Sequence, residues 1–171
     1  MANSQSQTRP WLRFWARMMD YLLVDIALCI ILVVILDWTG HLLQWGFLVP
    51  LVPLIWMFLE PLFLRKWGTT PGKAFLRMSV VKKGGGKLSY EQAFERSLKV
   101  WIRGVGLGIP FVNIITLIVA YVKMAKNHST SWDQDCGTVV KHEKVGTERT
   151  VLFIFLFIVG AFILSGLAPY L

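Results

Sequence analysis

The sequence predicts an all-α polytopic membrane protein with four or five transmembrane or re-entrant helices and a small cytoplasmic β-hairpin. Three observations carry this reading. The chain of 171 residues is 55% hydrophobic, with a mean hydropathy of +0.56, more apolar surface than a soluble domain of this size buries. Its eighteen Lys and Arg residues lie before Tyr21 or within Arg65–Arg103 and Lys123–Arg149, so 21–64, 104–122 and 150–171 hold none. All basic blocks can therefore lie on one side of a bilayer, as cytoplasmic loops require.

The net charge of +8 then points to anionic lipid headgroups and away from nucleic acid, because the basic residues flank apolar spans. Cys29 falls in an apolar span and Cys136 in a polar loop, which gives no disulfide framework. The Arg9–Arg17 stretch precedes an apolar run, but no small-x-small cleavage site follows. An uncleaved anchor helix is expected.

Residues 1–10 are polar and read as a disordered tail. Pro10 suits a helix start, and Trp11, Phe14 and Trp15 suit the headgroup layer. The first helix is expected over 11–36, long enough to cross with tilt. After an outer turn at Asp37–His41, the second helix is expected over 42–64, interrupted by Pro50, Pro53 and Pro61. A cytoplasmic segment, 65–91, follows. Within it, Thr70-Pro71 reads as an N-cap and first helical residue. Met78–Lys82 and Lys87–Ser89, around three glycines, read as the β-hairpin. Ser89-Tyr90-Glu91-Gln92 reads as a capping box that opens the next helix.

Two topologies compete from Gln92 to Lys126. A single span near Trp101–Val122 leaves the five basic residues of Lys123–Arg149 on the outer face. A helical hairpin, 92–107 rising and 111–125 descending, keeps them inside. It breaks at Gly108-Ile109-Pro110, after Gly104 and Gly106. The hairpin is favoured, either crossing or re-entrant, since each arm is short for a span. A second cytoplasmic segment, 126–149, contains a candidate strand at Thr138–Lys141 that would pair with Met78–Lys82. An uncharged helix, 150–169, is the last span. Its Ala161 and Ser165 read as lipid-facing small residues rather than an oligomer contact. The N-terminus is expected in the cytoplasm, in an inner or plasma membrane.

Charges inside spans are costly and mark function or a structural pair. Arg13, Arg17 and Asp20 share a helix face at i, i+4 and i+7. Asp25 lies deeper on another face, and Glu60 lies near the inner end of the second span. Arg96, Lys99 and Arg103 form a third-helix stripe at i, i+3 and i+7. These side chains read either as a structural salt-bridge network or as an ion pathway in which Asp20, Asp25 or Glu60 changes protonation.

Three motifs resemble those of the RDD family of membrane proteins. Arg13-Phe14-Trp15-Ala16-Arg17-Met18-Met19-Asp20 is similar to its first-helix signature, an Arg followed seven residues later by an Asp. Gly68-Thr69-Thr70-Pro71-Gly72-Lys73, with Val80-Val81 beyond it, resembles its G-x-T-x-G-K segment and following strand. Asp133, Gly137, Thr138 and Val140 fall on its closing D-x-x-x-G-T-x-V element. On this resemblance the family's Arg is Arg13 and its two Asp residues are Asp20 and Asp133. Trp132 departs from the usual His or Gly, and Asp135 is an added acid. The resemblance covers about Trp11–Val140, within one RDD-like membrane domain expected over 11–142, and leaves the last helix outside. It implies membrane insertion, with cation/proton exchange described for some members. Read physically, Arg13 at the mouth of the first helix and Asp133 in a cytoplasmic loop are expected to pair and close the inner face, with Asp20 pairing Arg17 or Arg96.

Other motifs fail on spacing. Gly68–Lys73 lacks the P-loop pattern. Asp133-Gln134-Asp135 is too short to argue for a cation site. His128, Cys136 and His142 lack zinc spacing. No metal, cofactor or enzymatic nucleophile is expected. The leading functional expectation is cation/proton transport through buried carboxylates, with monovalent cations or protons as partners. The alternative is a non-transporting scaffold, anchor or assembly factor for a membrane partner. No internal inverted repeat is visible in so short a chain, so transport would call for a homo-oligomer.

Overall fold

Pro10 occupies the first turn of α1 (Pro10–Ile30), where its fixed φ suits a helix start. The computed structural model describes residues 9–32, 45–127 and 129–167. Residues 1–8 of the expected tail, the end of the first span, the outer turn and His128 lie outside the described residues. α2 (Trp45–Trp67) runs unbroken through Pro50, Pro53 and Pro61. The prolines therefore remove backbone bonds without interrupting the helix.

Thr70 caps α3 (Pro71–Phe75), its hydroxyl accepting from the Lys73 amide at 3.4 Å. β1 (Met78–Lys82) follows. Ser89 and Gln92 form the reciprocal capping box of α4 (Tyr90–Arg103), with bonds of 3.3 and 3.2 Å. The expected helical break is present. A 3-10 turn at Gly106–Gly108 places Leu107 at φ 60, and α5 (Pro110–Asn127) runs back from it. α6 (Ser131–Asp135), β2 (Thr138–His142) and α7 (Thr147–Leu167) complete a mostly helical chain.

The expected hairpin between Met78–Lys82 and Lys87–Ser89 does not form. β1 pairs instead with β2, antiparallel, with Val80 opposite Val140. The other edge of β1 is already occupied. The Val80 amide donates to the Gly68 carbonyl at 2.7 Å, and the Lys82 amide to Gly86 at 3.2 Å. No ladder position is left for Lys87–Ser89, which leads into the α4 cap.

The ribbon also exposes an internal repeat that the sequence reading missed. Helix, short helix and strand occur twice, as α2-α3-β1 and α5-α6-β2. Thr70 and Thr130 stand sixty residues apart, as do Val80 and Val140. Arg77 and Gly137, also equivalent, both have positive φ, 50 and 58. The Val80–Val140 pair is the centre of this two-fold arrangement.

The core lies where α1, α3, α7 and the ribbon's inner face meet, with Ala16, Leu22, Val80, Val140 and Phe153 buried. Two small residues set the spacing. A Cβ on Gly72 would lie 2.1 Å from the Ala16 carbonyl oxygen, so α3 touches the α1 backbone. A Cβ on Gly160 would lie 2.8 Å from Leu22 Cδ2, so α7 rests on α1. Phe157 of α7 packs edge-on against Trp15, with ring centroids 5.6 Å apart. Ala161 and Ser165 are exposed. Among the described residues, α7 is the one helix long and apolar enough to cross a membrane by length and composition.

Gly72→Ala is expected to lower the thermal midpoint of the detergent-solubilised protein more than Gly137→Ala. The first forces α1 and α3 apart. The second has open space and bears only the left-handed backbone cost of about 1–2 kcal/mol. Thermal unfolding of both variants checks the order.

Candidate functional site

Five elements bring their charges to one buried point. Glu60 projects from α2 and is 1% exposed. It contacts Lys73 Nζ from α3 directly, Arg96 Nη1 from α4 at 3.3 Å and Arg17 Nη2 from α1 at 3.6 Å. Ser97 Oγ donates to its other oxygen at 3.2 Å. Arg96 then bridges to α6, its Nε donating to Asp133 Oδ1 at 2.9 Å. Arg13 of α1 closes the series, with Nη1 donating to Asp133 Oδ2 at 3.0 Å. Lys73 and Asp133 are each the third residue of their short helices. The internal repeat thus places opposite charges at equivalent positions.

Asp133 has no spare acceptor geometry. Besides the two arginines, the hydroxyls of Thr130 and Thr138 donate to it at 2.7 and 3.0 Å. Burial alone would raise its pKa. Arg96, Arg13 and the two hydroxyls outweigh burial and hold it below the ordinary carboxylate value. Burial draws the Lys73 ammonium below its usual pKa, with Glu60 opposing.

Asp20 does not pair with Arg17 or Arg96. Its carboxylate accepts from Thr70 Oγ1 and from the Gly72 amide, both at 2.6 Å. The two arginines are drawn instead to Glu60, and Arg96 also to Asp133. The close approach that only Gly72 permits delivers this backbone donor to Asp20. Asp25, half-buried on α1, makes no hydrogen bond or ion pair among the described residues. The Arg96–Lys99–Arg103 stripe divides. Arg96 is buried, whereas Lys99 pairs with Glu95 at 2.6 Å and Arg103 pairs with Asp135, at the surface. Asp133 and Asp135 therefore point to different partners. Among the described residues no group of three or more metal-ligating side chains converges.

Each sequence motif now has a physical role. The first-helix Arg13 and Asp20 engage the third and second motifs, respectively. Gly68 carries the carbonyl that caps the β1 edge. Gly137 turns the chain so that Thr138 reaches back to Asp133. The RDD family profile matches residues 8–168. The chain belongs to the RDD family. The match includes α7, beyond the reach of the three motifs. RDD proteins are generally membrane-associated. Among curated proteins, this RDD chain is similar to "Uncharacterized protein YckC" of Bacillus subtilis (strain 168). The two are 28% identical over 139 residues, covering 81% of this chain and 87% of that protein. No solved structure matches.

Beside the network lies a cavity of about 790 Å³ between α1, α4 and α5. Arg13, Arg17, Lys73 and Arg96 line its polar end, and Phe14, Met18, Leu117 and Ile118 line its walls. Sequence reasoning missed both the cavity and the role of Lys73 as a Glu60 partner. The one available signal was the equivalence of Lys73 and Asp133 across the repeat.

His142 adds a titrating group. Its Nε2 accepts from Arg13 Nε at 3.3 Å, and its Nδ1 is buried without a partner among the described residues. Burial, then Arg13 and Arg9, push its pKa down to about 4. Unfolded histidine binds its proton near pH 6.5. Between these values the unfolded state holds more protons, so stability falls as pH drops from about 6.5 to 4. A thermal-midpoint scan of wild type is expected to show this decline, and His142→Gln to flatten it. Separately, Asp133→Asn leaves the buried Arg96 and the half-buried Arg13 short of a counter-charge. A loss of about 3–5 kcal/mol is expected in reversible denaturation.

Proposed function

We propose that this protein is a multi-pass membrane protein of the inner or plasma membrane, with its N-terminus and charge network on the cytoplasmic side. In this reading it is a non-transporting module: a scaffold or anchor rather than a cation/proton carrier. The exposed apolar faces of α5 and α7, including Phe111, Ile115, Phe155 and Phe162, suit lipid. The placement of all basic blocks on one side supports the orientation.

The observation that carries the non-transporting reading is the sign of the cavity. Its four charged lining residues are all cationic. The carboxylates of Asp20, Glu60 and Asp133 are engaged by donors. A cation entering here would meet like charge in a poorly solvated space.

The transport reading keeps one specific support, the half-buried Asp25 without a described partner. Proton flux driven by Na⁺, K⁺ or Li⁺ gradients in proteoliposomes separates the two. Flux no greater than in protein-free vesicles is expected for wild type. Coupled flux that vanishes in folded Asp25→Asn or Asp20→Asn protein would replace the scaffold reading with transport.

A further inference from the structure

The cavity's chemistry is not accounted for by the charge network alone. Its four cations are ion-paired with only two acids, Glu60 and Asp133, which leaves positive charge in excess. Arg17, which also interacts with Tyr21, makes the longest ion-pair contact of the four. Its nearest carboxylate oxygen is 3.6 Å away, whereas Arg13 and Arg96 approach Asp133 within 3.0 Å. The rest of the lining is mostly apolar, with Phe14 and Met18 opposite Leu117 and Ile118. α1 and α5 meet at one end through Trp11 and Tyr121, with ring centroids 6.1 Å apart. Both rings also line the cavity, whose volume of about 790 Å³ falls within the about 300–1,000 Å³ typical of ligand sites.

We propose that this cavity holds an anionic phospholipid, its phosphate against Arg17 and an acyl chain between α1 and α5. The proposal rests on the membrane reading above. Charge complementarity selects the headgroup. A neutral apolar occupant would leave the excess positive charge desolvated and uncompensated. A free phosphate would leave the apolar walls unfilled. An anionic phospholipid meets both demands, since guanidinium groups bind phosphate with charge-assisted bonds and the walls accept hydrocarbon. Such lipids are concentrated at the cytoplasmic leaflet, next to Arg13 and Arg17 in the proposed orientation.

The test starts with membranes containing the full-length protein. Alkaline extraction is applied first. Release of the protein would defeat the membrane reading itself. Inserted protein is then purified with equal amounts of phosphatidylglycerol and phosphatidylcholine, and retained lipid is counted by native mass spectrometry. Wild type is expected to retain phosphatidylglycerol preferentially. Arg17→Gln is expected to lower that retention about tenfold, the scale of one lost charge-assisted contact. Leu117→Trp fills the wall without touching a charge and is expected to block retention while preserving the helical circular dichroism signal. Equal retention of the two lipids, or unchanged retention in folded Leu117→Trp, overturns the proposal. So does displacement of phosphatidylglycerol by millimolar inorganic phosphate, which would identify a site for free anion instead.

Discussion

An alternating series of charges, Lys73–Glu60–Arg96–Asp133–Arg13, ties α3, α2, α4, α6 and α1 together. Each member is buried or nearly so, and each is tolerable there only because its neighbours are present. The Coulombic attraction offsets desolvation, and hydroxyls from Ser97, Thr130 and Thr138 satisfy remaining acceptors. The arrangement is therefore close to all-or-none. It fixes which helix lies beside which, a task that apolar faces perform poorly when much of the exterior is equally apolar.

Much of the local structure was legible because it rests on short-range chemistry. Thr70 before Pro71, Ser89 before Gln92 and the glycines before Pro110 each satisfy or break nearby backbone groups. The Arg13–Asp133 pair was legible because motif resemblance marked both residues and their expected placement at the inner face put opposite charges within reach. The partner of Asp20 was not, because charge spacing on one helix offers Arg17 and cannot display the Gly72 amide. The supposed hairpin failed for a related reason. Three glycines announce a turn, but only the fold reveals that Gly68 and Gly86 occupy the edge that Lys87–Ser89 would need.

Small residues proved more informative than charged stripes. Arg96, Lys99 and Arg103 recur at i, i+3 and i+7, yet only Arg96 lies in the interior, and Arg103 is the last residue of α4, bonded at the surface. Gly72 and Gly160, by contrast, mark where α3 and α7 press on α1. The repeat escaped notice because only Thr70/Thr130 and Val80/Val140 are identical across its short helix and strand, while the charge at its centre is inverted from Lys73 to Asp133.

The ribbon also orders events during biosynthesis. The inner half-ladder of β1 faces residues 138–142, and Arg13 waits for a carboxylate 120 positions later. At about 5–20 residues per second, the sixty residues from Val80 to Val140 take about 3–12 s to be made. Throughout that interval the first half of the chain carries Arg13 without its acid and β1 without its partner strand. Arg13 and β1 therefore meet their final partners only once the second half of the chain has arrived.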